Sequence, residues 1–136
     1  INCLVGDTLK DGLTEGYKET ITANVTESMV AQFEGVVVHP VYSTVMMVYH
    51  MEWASRKIIL PFLEDHEEGM GAEVNVKHIA PSKVGSSLSI TATLIEKKRN
   101  IVLTSVEIYD GSKLIGSGEV KQVILPKEKI KQLIHG

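Results

Sequence analysis

Cysteine is almost missing from this sequence: Cys3 is the single instance in 136 residues. One thiol cannot build an internal disulfide framework or a cysteine-based zinc site, and a reducing, cytoplasmic compartment is the simplest fit. Aromatic residues are 5% of the chain, so the core has to be assembled from Val, Ile, Leu, Met and Ala. Four prolines beside 43% hydrophobic residues exclude a disordered or collagen-like chain. Positive charge is short too. Lys and Arg number 14 against 17 Asp and Glu, a net charge of −3, which argues against a general nucleic-acid or anionic-membrane surface. No signal-peptide pattern is visible after Ile1, and no repeat or low-complexity tract is present. The length fits one domain over 1–136.

One apolar run, 44–63, is long enough to span a bilayer. It contains His50, Glu52, Arg56, Lys57 and Pro61, and each central charge costs about 2.5–3.5 kcal/mol on insertion scales. It reads instead as a long helix capped by Ser43 or Thr44 and stopped at Pro61. Val45, Met46, Met47, Val48, Tyr49, Met51, Trp53 and Ala54 cover nearly every face of it, the pattern of a helix that is buried and wrapped.

Around that helix the pattern is mostly sheet. Residues 17–25 alternate as a half-buried strand. Thr26-Glu27-Ser28 opens a short helical piece to about Phe33, ended by Gly35. The run 36–41 is extended or a loop, because His39 precedes Pro40. His66, Glu67, Glu68 and Gly69 read as a polar connector. Strands follow over 70–80, 87–96, 101–109 and 113–125, with turn signals at Pro81 to Gly85, Lys97 to Asn100 and Asp110-Gly111. A short amphipathic helix begins at Pro126. The order gives an α+β fold, an antiparallel sheet wrapped on one hydrophobic helix.

Three polar residues fall where this pattern predicts burial. Glu52 sits mid-helix, where a carboxylate is rarely buried without a partner; it pairs with Arg56 one turn on or faces solvent through a gap in the sheet, or it has a raised pKa suited to acid/base or nucleophilic work. His78 lies in the apolar phase of its strand with Ala72, Val74, Val76 and Ala80, as a satisfied core residue or as a partner for Glu52. Thr44 stands at the positive end of the helix, where capping is the default and presenting a hydroxyl to an oxyanion or water is the alternative. Thr44, Val48 and Glu52 share one helix face, with Thr44 and Glu52 about 12 Å apart along the axis. The other histidines show no metal-ligand spacing, so no metal site is expected. Lys97, Lys98 and Arg99 form a basic hairpin tip, solvated or able to grip phosphates. Gly116-Ser117-Gly118 marks a bulge or close backbone approach rather than a phosphate loop.

The run Thr44-Val45-Met46-Met47-Val48-Tyr49-His50-Met51-Glu52-Trp53-Ala54 resembles the central helix of hotdog-fold acyl-CoA thioesterases, most of all the fluoroacetyl-CoA thioesterase branch. The tetrad Met51-Glu52-Trp53-Ala54, then Gly71, Val76-Lys77-His78 and Gly116-Ser117-Gly118, fall in register without gaps, and the likeness runs from about residue 8 to 125. The resemblance implies a five-stranded antiparallel sheet around the long helix and pairing into a homodimer or a dimer of dimers. It implies catalytic roles for Thr44, Glu52 and His78, and a backbone group at Gly71 that helps hold the thioester. It implies an acyl-CoA substrate, with no cofactor beyond the CoA the substrate carries. Two positions depart from the branch. The stretch matching its aromatic lid is Gly35-Val36-Val37-Val38, and a basic residue after Gly-Ser-Gly stands as Gln122 beside Lys121. The implied activity is therefore hydrolysis of a short-chain or unspecified acyl-CoA. A non-catalytic acyl-CoA binder and an enoyl-CoA hydratase are the rival readings on this fold; the first gains little from buried ionisable groups, and the second needs an inward Asp/His pair, whereas Asp7, Asp11, Asp65 and Asp110 fall in expected loops.

Overall fold

The computed structural model describes residues 8–136, so Cys3 lies outside the described residues. The elements are β1 (Lys18–Asn24), a 3₁₀ turn (Glu27–Met29), β2 (Val30–Phe33), β3 (Val36–Tyr42), α1 (Thr44–Ile59), a second 3₁₀ turn (Leu60–Phe62), β4 (Glu67–His78), β5 (Ser87–Lys98), β6 (Ile101–Asp110), β7 (Lys113–Pro126) and α2 (Lys127–His135). Five strands form one antiparallel sheet in the order β1-β5-β6-β7-β4, and β2 pairs with β3 as a separate two-stranded flap. This is the expected α+β arrangement of five strands on one long helix.

Two short stretches differ from expectation. The expected helix after Thr26 is only the first 3₁₀ turn. From Val30 the chain is strand, turned back onto β3 through Glu34-Gly35, both at positive φ, so Gly35 belongs to a hairpin turn rather than a helix end. Of the expected connector at 66–69 only His66 lies in a turn; β4 already starts at Glu67. Glu67 is buried there, its carboxylate accepting the backbone N–H groups of Leu9 and Glu64, so its charge is hydrogen-bonded rather than solvated.

The helix is capped by Ser43, whose Oγ accepts the Met46 N–H at 3.1 Å. Pro61 does not end the chain's turn abruptly; it sits in the 3₁₀ turn that follows Ile59. Met47, Met51, Ala54, Ile58 and Ile59 face the sheet and are fully buried, at a spacing of three and four. They meet Leu88, Ile90, Leu94, Ile108 and Ile124 from the strands, and each such side chain contributes about 1.5–3 kcal/mol by leaving water.

The opposite side of α1 corrects the all-round burial. Val45, Tyr49 and Trp53, four residues apart, are 70%, 56% and 41% exposed. The sheet of one chain covers one side of the helix and leaves this apolar stripe open.

Gly116 and Gly118 let β7 close onto α1. A Cβ at Gly116 would stand 2.6 Å from Met47, and one at Gly118 would overlap the Asn75 carbonyl oxygen and press on Met51. The close-approach reading of this triplet therefore holds.

Candidate active site

Because Ser43 takes the capping role, the hydroxyl of Thr44 is left over. It points to β4, where Thr44 Oγ1 lies 2.8 Å from His78 Nδ1. β4 runs antiparallel to α1, so its last residue reaches the first turn of the helix. His78 is half-buried. Burial holds its pKa below the usual histidine value, against a backbone hydrogen bond at Ala80 that favours the charged ring. The ring is thus kept neutral, the state in which Nδ1 can accept the Thr44 proton.

Two cavities flank Thr44. One, about 280 Å³, is lined by Thr44, His78, His39, Tyr42, Ile79 and Pro81 among others. The other, about 270 Å³, is lined by Thr44, Val45 and Met46 from the helix and by Ser28, Val30, Ala31, Gln32 and Phe33 from the flap side. Phe33 gives this wall an aromatic ring although 35–38 has none. The first-turn N–H groups of Thr44 and Val45, which a helix leaves without internal acceptors, and the positive end of the helix dipole stand at the same place.

Glu52 is not buried as the helix pattern predicts but faces solvent, one of the alternatives the sequence leaves open. It is exposed and opens on a groove of about 320 Å³ with Tyr49, Trp53 and Arg56. Arg56 does not pair with it; the guanidinium holds Glu68 at 2.8 Å, which keeps the Glu68 carboxyl below the usual carboxylate range. Among the described residues Glu52 makes no hydrogen bond with His78 or Thr44. The neighbour it does have is Gly71, where a Cβ would come 3.0 Å from Glu52 Oε1. Gly71 borders a register shift of β4 on β7, with Ala72 unpaired between Gly71 and Glu73. One chain therefore carries two clusters, Thr44–His78 and Glu52–Gly71, about 12 Å apart along the helix.

The basic tip is elsewhere. β5 extends to Lys98, and the turn is Arg99-Asn100, with Arg99 at φ 55°. Register runs from Lys98 through Ile101 and Val123 to Met70, so His78 lies eight residues of strand, about 26 Å, beyond that line. Lys97 donates to the Arg99 carbonyl at 3.1 Å, and Lys98 and Arg99 are exposed. Gln122 is buried and donates to the Ser55 carbonyl at 3.0 Å, while Lys121 faces Glu73 at 3.8 Å; neither reaches Thr44.

A second polar pair went unnoticed in the sequence. Tyr42 OH lies 2.6 Å from His50 Nδ1, and both residues are buried. The signal was present, since His50 shares the phase of Met47, Met51 and Ala54 on the inner face of α1. Among the described residues no group of three or more His, Cys, Asp or Glu could hold a metal ion, and no helix is long and apolar enough to cross a membrane.

Comparison with known proteins identifies the family. The model of the fluoroacetyl-CoA-specific thioesterase family matches residues 25–128. The fluoroacetyl-CoA thioesterase of Streptantibioticus cattleyicolor is 33% identical over 95 residues, 70% of this chain and 68% of that protein. Among solved structures, a Thermus thermophilus protein described as a thioesterase superfamily member superposes with a TM-score of 0.89 at 43% identity, covering 92% of this chain and 93% of its own. A structure of the fluoroacetyl-CoA thioesterase superposes with a TM-score of 0.84 at 27% identity, over 92% and 97% of the two chains. The family match spans well over half of the sequence and includes Thr44, Glu52, Gly71 and His78: the chain belongs to the fluoroacetyl-CoA-specific thioesterase family.

Proposed function

We propose that this protein hydrolyses a short-chain acyl-CoA thioester with His78 as general base. The observation that carries this reading is the 2.8 Å contact between Thr44 Oγ1 and a His78 ring held neutral by burial. His78 takes a proton from the Thr44 hydroxyl, or from a water lodged against it, and the oxygen attacks the thioester carbonyl. The carbonyl oxygen gains negative charge facing the first-turn N–H groups of α1. As the C–S bond breaks, His78 returns the proton to the CoA thiolate. If Thr44 carries the acyl group, a water deprotonated by the same ring releases the acid. The products are a carboxylate, the free thiol and one proton, and no cofactor is needed beyond the CoA of the substrate. The apolar cavity lined by Val30, Ala31, Phe33 and Val45 fits a short acyl group.

Glu52 and Gly71 belong to this reading through a second copy of the chain. The exposed stripe Val45, Tyr49 and Trp53 lies on the same helix as Thr44 and Glu52, and β4 is an open edge of the sheet. Pairing of two copies across this face covers the stripe and closes both clusters off from water. A homodimer is thus the smallest complete enzyme, and a dimer of dimers is compatible with it. The carboxylate of Glu52 then stabilises the protonated His78 ring brought to it by the facing copy, or attacks the thioester itself, releasing the CoA thiolate and forming an anhydride that water hydrolyses. The solitary cysteine fits a cytoplasmic setting, and the exposed Lys98 and Arg99 are available to CoA phosphates at the distal end of the sheet.

The test is CoA release, followed as free thiol, over a panel of acyl-CoAs from acetyl upward. Release on short acyl groups that disappears in His78→Ala is expected. No release on any of them, or unchanged release in His78→Ala, overturns the reading. Single-turnover acyl transfer in Thr44→Ser, Thr44→Ala and Glu52→Gln separates attack by threonine, by water and by the carboxylate.

A further inference from the structure

The Tyr42–His50 pair takes no part in the chemistry above, yet it borders the dyad on two sides. Tyr42 is the last residue of β3 and stands two residues before Thr44. Its ring meets the His78 ring edge-on, centroids 6.3 Å apart at 67°. Its hydroxyl is tied to His50 Nδ1 at 2.6 Å, and the Tyr42 and His50 rings stack at 5.8 Å and 18°. Tyr42 is 1% exposed and His50 2% exposed, so neither ring can turn toward water. On its other side His50 meets Tyr49 and Trp53, with centroids at 5.4 Å and 6.3 Å.

We propose that Tyr42 and His50 are positioning residues: their hydrogen bond locks the Tyr42 ring against His78 and fixes the β3–α1 junction, so that Thr44 Oγ1 stays in reach of His78 Nδ1. A hydrogen bond between buried neutral groups resists displacement because either partner, once released, has no water to turn to. Burial holds His50 below and Tyr42 above their usual pKa values, so both groups are neutral and a single proton lies between them, given by the phenol to Nδ1 or by Nδ1–H to the phenol oxygen according to the ring's tautomer. The backbone of the junction is held separately, the Tyr42 N–H donating to the Ser82 carbonyl, the Ser43 N–H to the Met29 carbonyl and the Met46 N–H to Ser43 Oγ, but none of these bonds orients the ring that touches His78. Small errors in placing a base and its nucleophile cost rate heavily, on the order of 100-fold per ångström.

The inference rests on the hydrolysis reading for its kinetic arm and stands apart from it in its spectroscopic arm. In Tyr42→Phe and in His50→Leu, kcat falls about tenfold or more while KM stays within about twofold, the signature of lost alignment rather than lost binding. In His50→Asn the amide can accept from the tyrosine hydroxyl or donate to it near the place of Nδ1, so most of the rate returns. The double variant Tyr42→Phe with His50→Leu loses no more than either single one, because both remove the same bond. Independently, the ¹⁵N resonances of the His78 ring in the resting protein shift in Tyr42→Phe and return toward wild type in His50→Asn. Wild-type kcat in Tyr42→Phe, or His78 resonances that do not move, overturns the proposal. If the wild-type protein releases no CoA from any acyl-CoA, the hydrolysis reading fails, and the His78 resonances still decide whether the pair positions the ring.

Discussion

Thr44 Oγ1 and His78 Nδ1 lie 2.8 Å apart across 34 residues of sequence, the one from the first turn of α1 and the other from the end of β4. Neither is deeply buried, so replacing either leaves the core intact and a loss of activity is a loss of chemistry. His78→Ala is expected to lower kcat by roughly 10²–10⁴-fold, the range for removal of a general base, with stability changed by no more than about 0.5 kcal/mol. Steady-state thiol release beside urea melts reads both. A large fall in stability with unchanged kcat in the folded fraction would show a structural histidine instead.

Glu52 invites the same comparison with a sharper contrast. It is exposed and hydrogen-bonded to nothing among the described residues, so Glu52→Gln is isosteric and should leave the melting temperature where it was. Its expected effect on kcat is at least tenfold. Equal activity in Glu52→Gln and wild type on every acyl-CoA tested removes Glu52 from the mechanism.

Buried His50 and half-buried His78 set a pH dependence with a definite sign. Burial lowers both His50 and His78, so folding favours their neutral rings. Between the folded values and the unfolded value of about 6.5 the unfolded chain binds more protons. Stability is therefore fully present above about pH 6.5 and falls as pH drops through the folded values. Urea midpoints at pH 7.5, 6.5 and 5.5 should decline in that order, and less steeply in His50→Asn. The acid limb of kcat/KM, which reports the base of the free enzyme, should lie below pH 6.5; an inflection above it contradicts a His78 base in this environment.

Gly118 and Gly116 predict unequal penalties for the same change. In Gly118→Ala the new methyl meets the Asn75 backbone carbonyl, which cannot move without breaking the β4–β7 pairing, and the expected cost is about 1–3 kcal/mol or more. In Gly116→Ala the obstacle is the Met47 thioether, a flexible side chain that can rotate away, so the cost is smaller. Chemical denaturation of the two variants ranks them; the reverse order would show that β7 is not held against α1 as described.

Trp53 carries the test of pairing. Its ring is 41% exposed in line with Val45 and Tyr49, a contiguous apolar stripe of the kind that marks an interface. Trp53→Glu should give a monomer by light scattering where the wild-type protein gives a dimer or larger, together with lost activity. A monomeric and active wild-type protein would mean that one chain completes its own site.

Much of the architecture was legible because it rests on local periodicity. Alternation marked β1 and β4 to β7, and the turn residues at Arg99-Asn100 and Gly111 separated the hairpins. The long helix announced itself by its apolar run and by Pro61. What failed were two short segments of mixed signal. Residues 30–33 are strand because Glu34 and Gly35, both at positive φ, turn the chain back into β3, so the glycine closes a hairpin rather than a helix; Glu67 is drawn inside by the nearby Glu64 N–H and by that of Leu9, which only the folded chain brings to it. The site was legible in part for the same reason. His78 could be singled out by its phase on β4. The place of Glu52 could not, because an apolar helix face buried by a sheet and one left for another partner have the same composition.

By itself the sequence determined the α+β class, the sheet built by hairpins, the long helix and a likeness to one family of thioesterases, since these follow from patterns spanning a few turns or strands at a time. Only the tertiary structure decided that Ser43 and not Thr44 caps α1, that Thr44 is thereby free to meet His78, that Glu52 stands outside with Gly71, and that His50 is joined to Tyr42. Those outcomes depend on which elements lie antiparallel and how far along each other they run. Side-chain chemistry at a site is set by such long-range placement, and no local pattern encodes it.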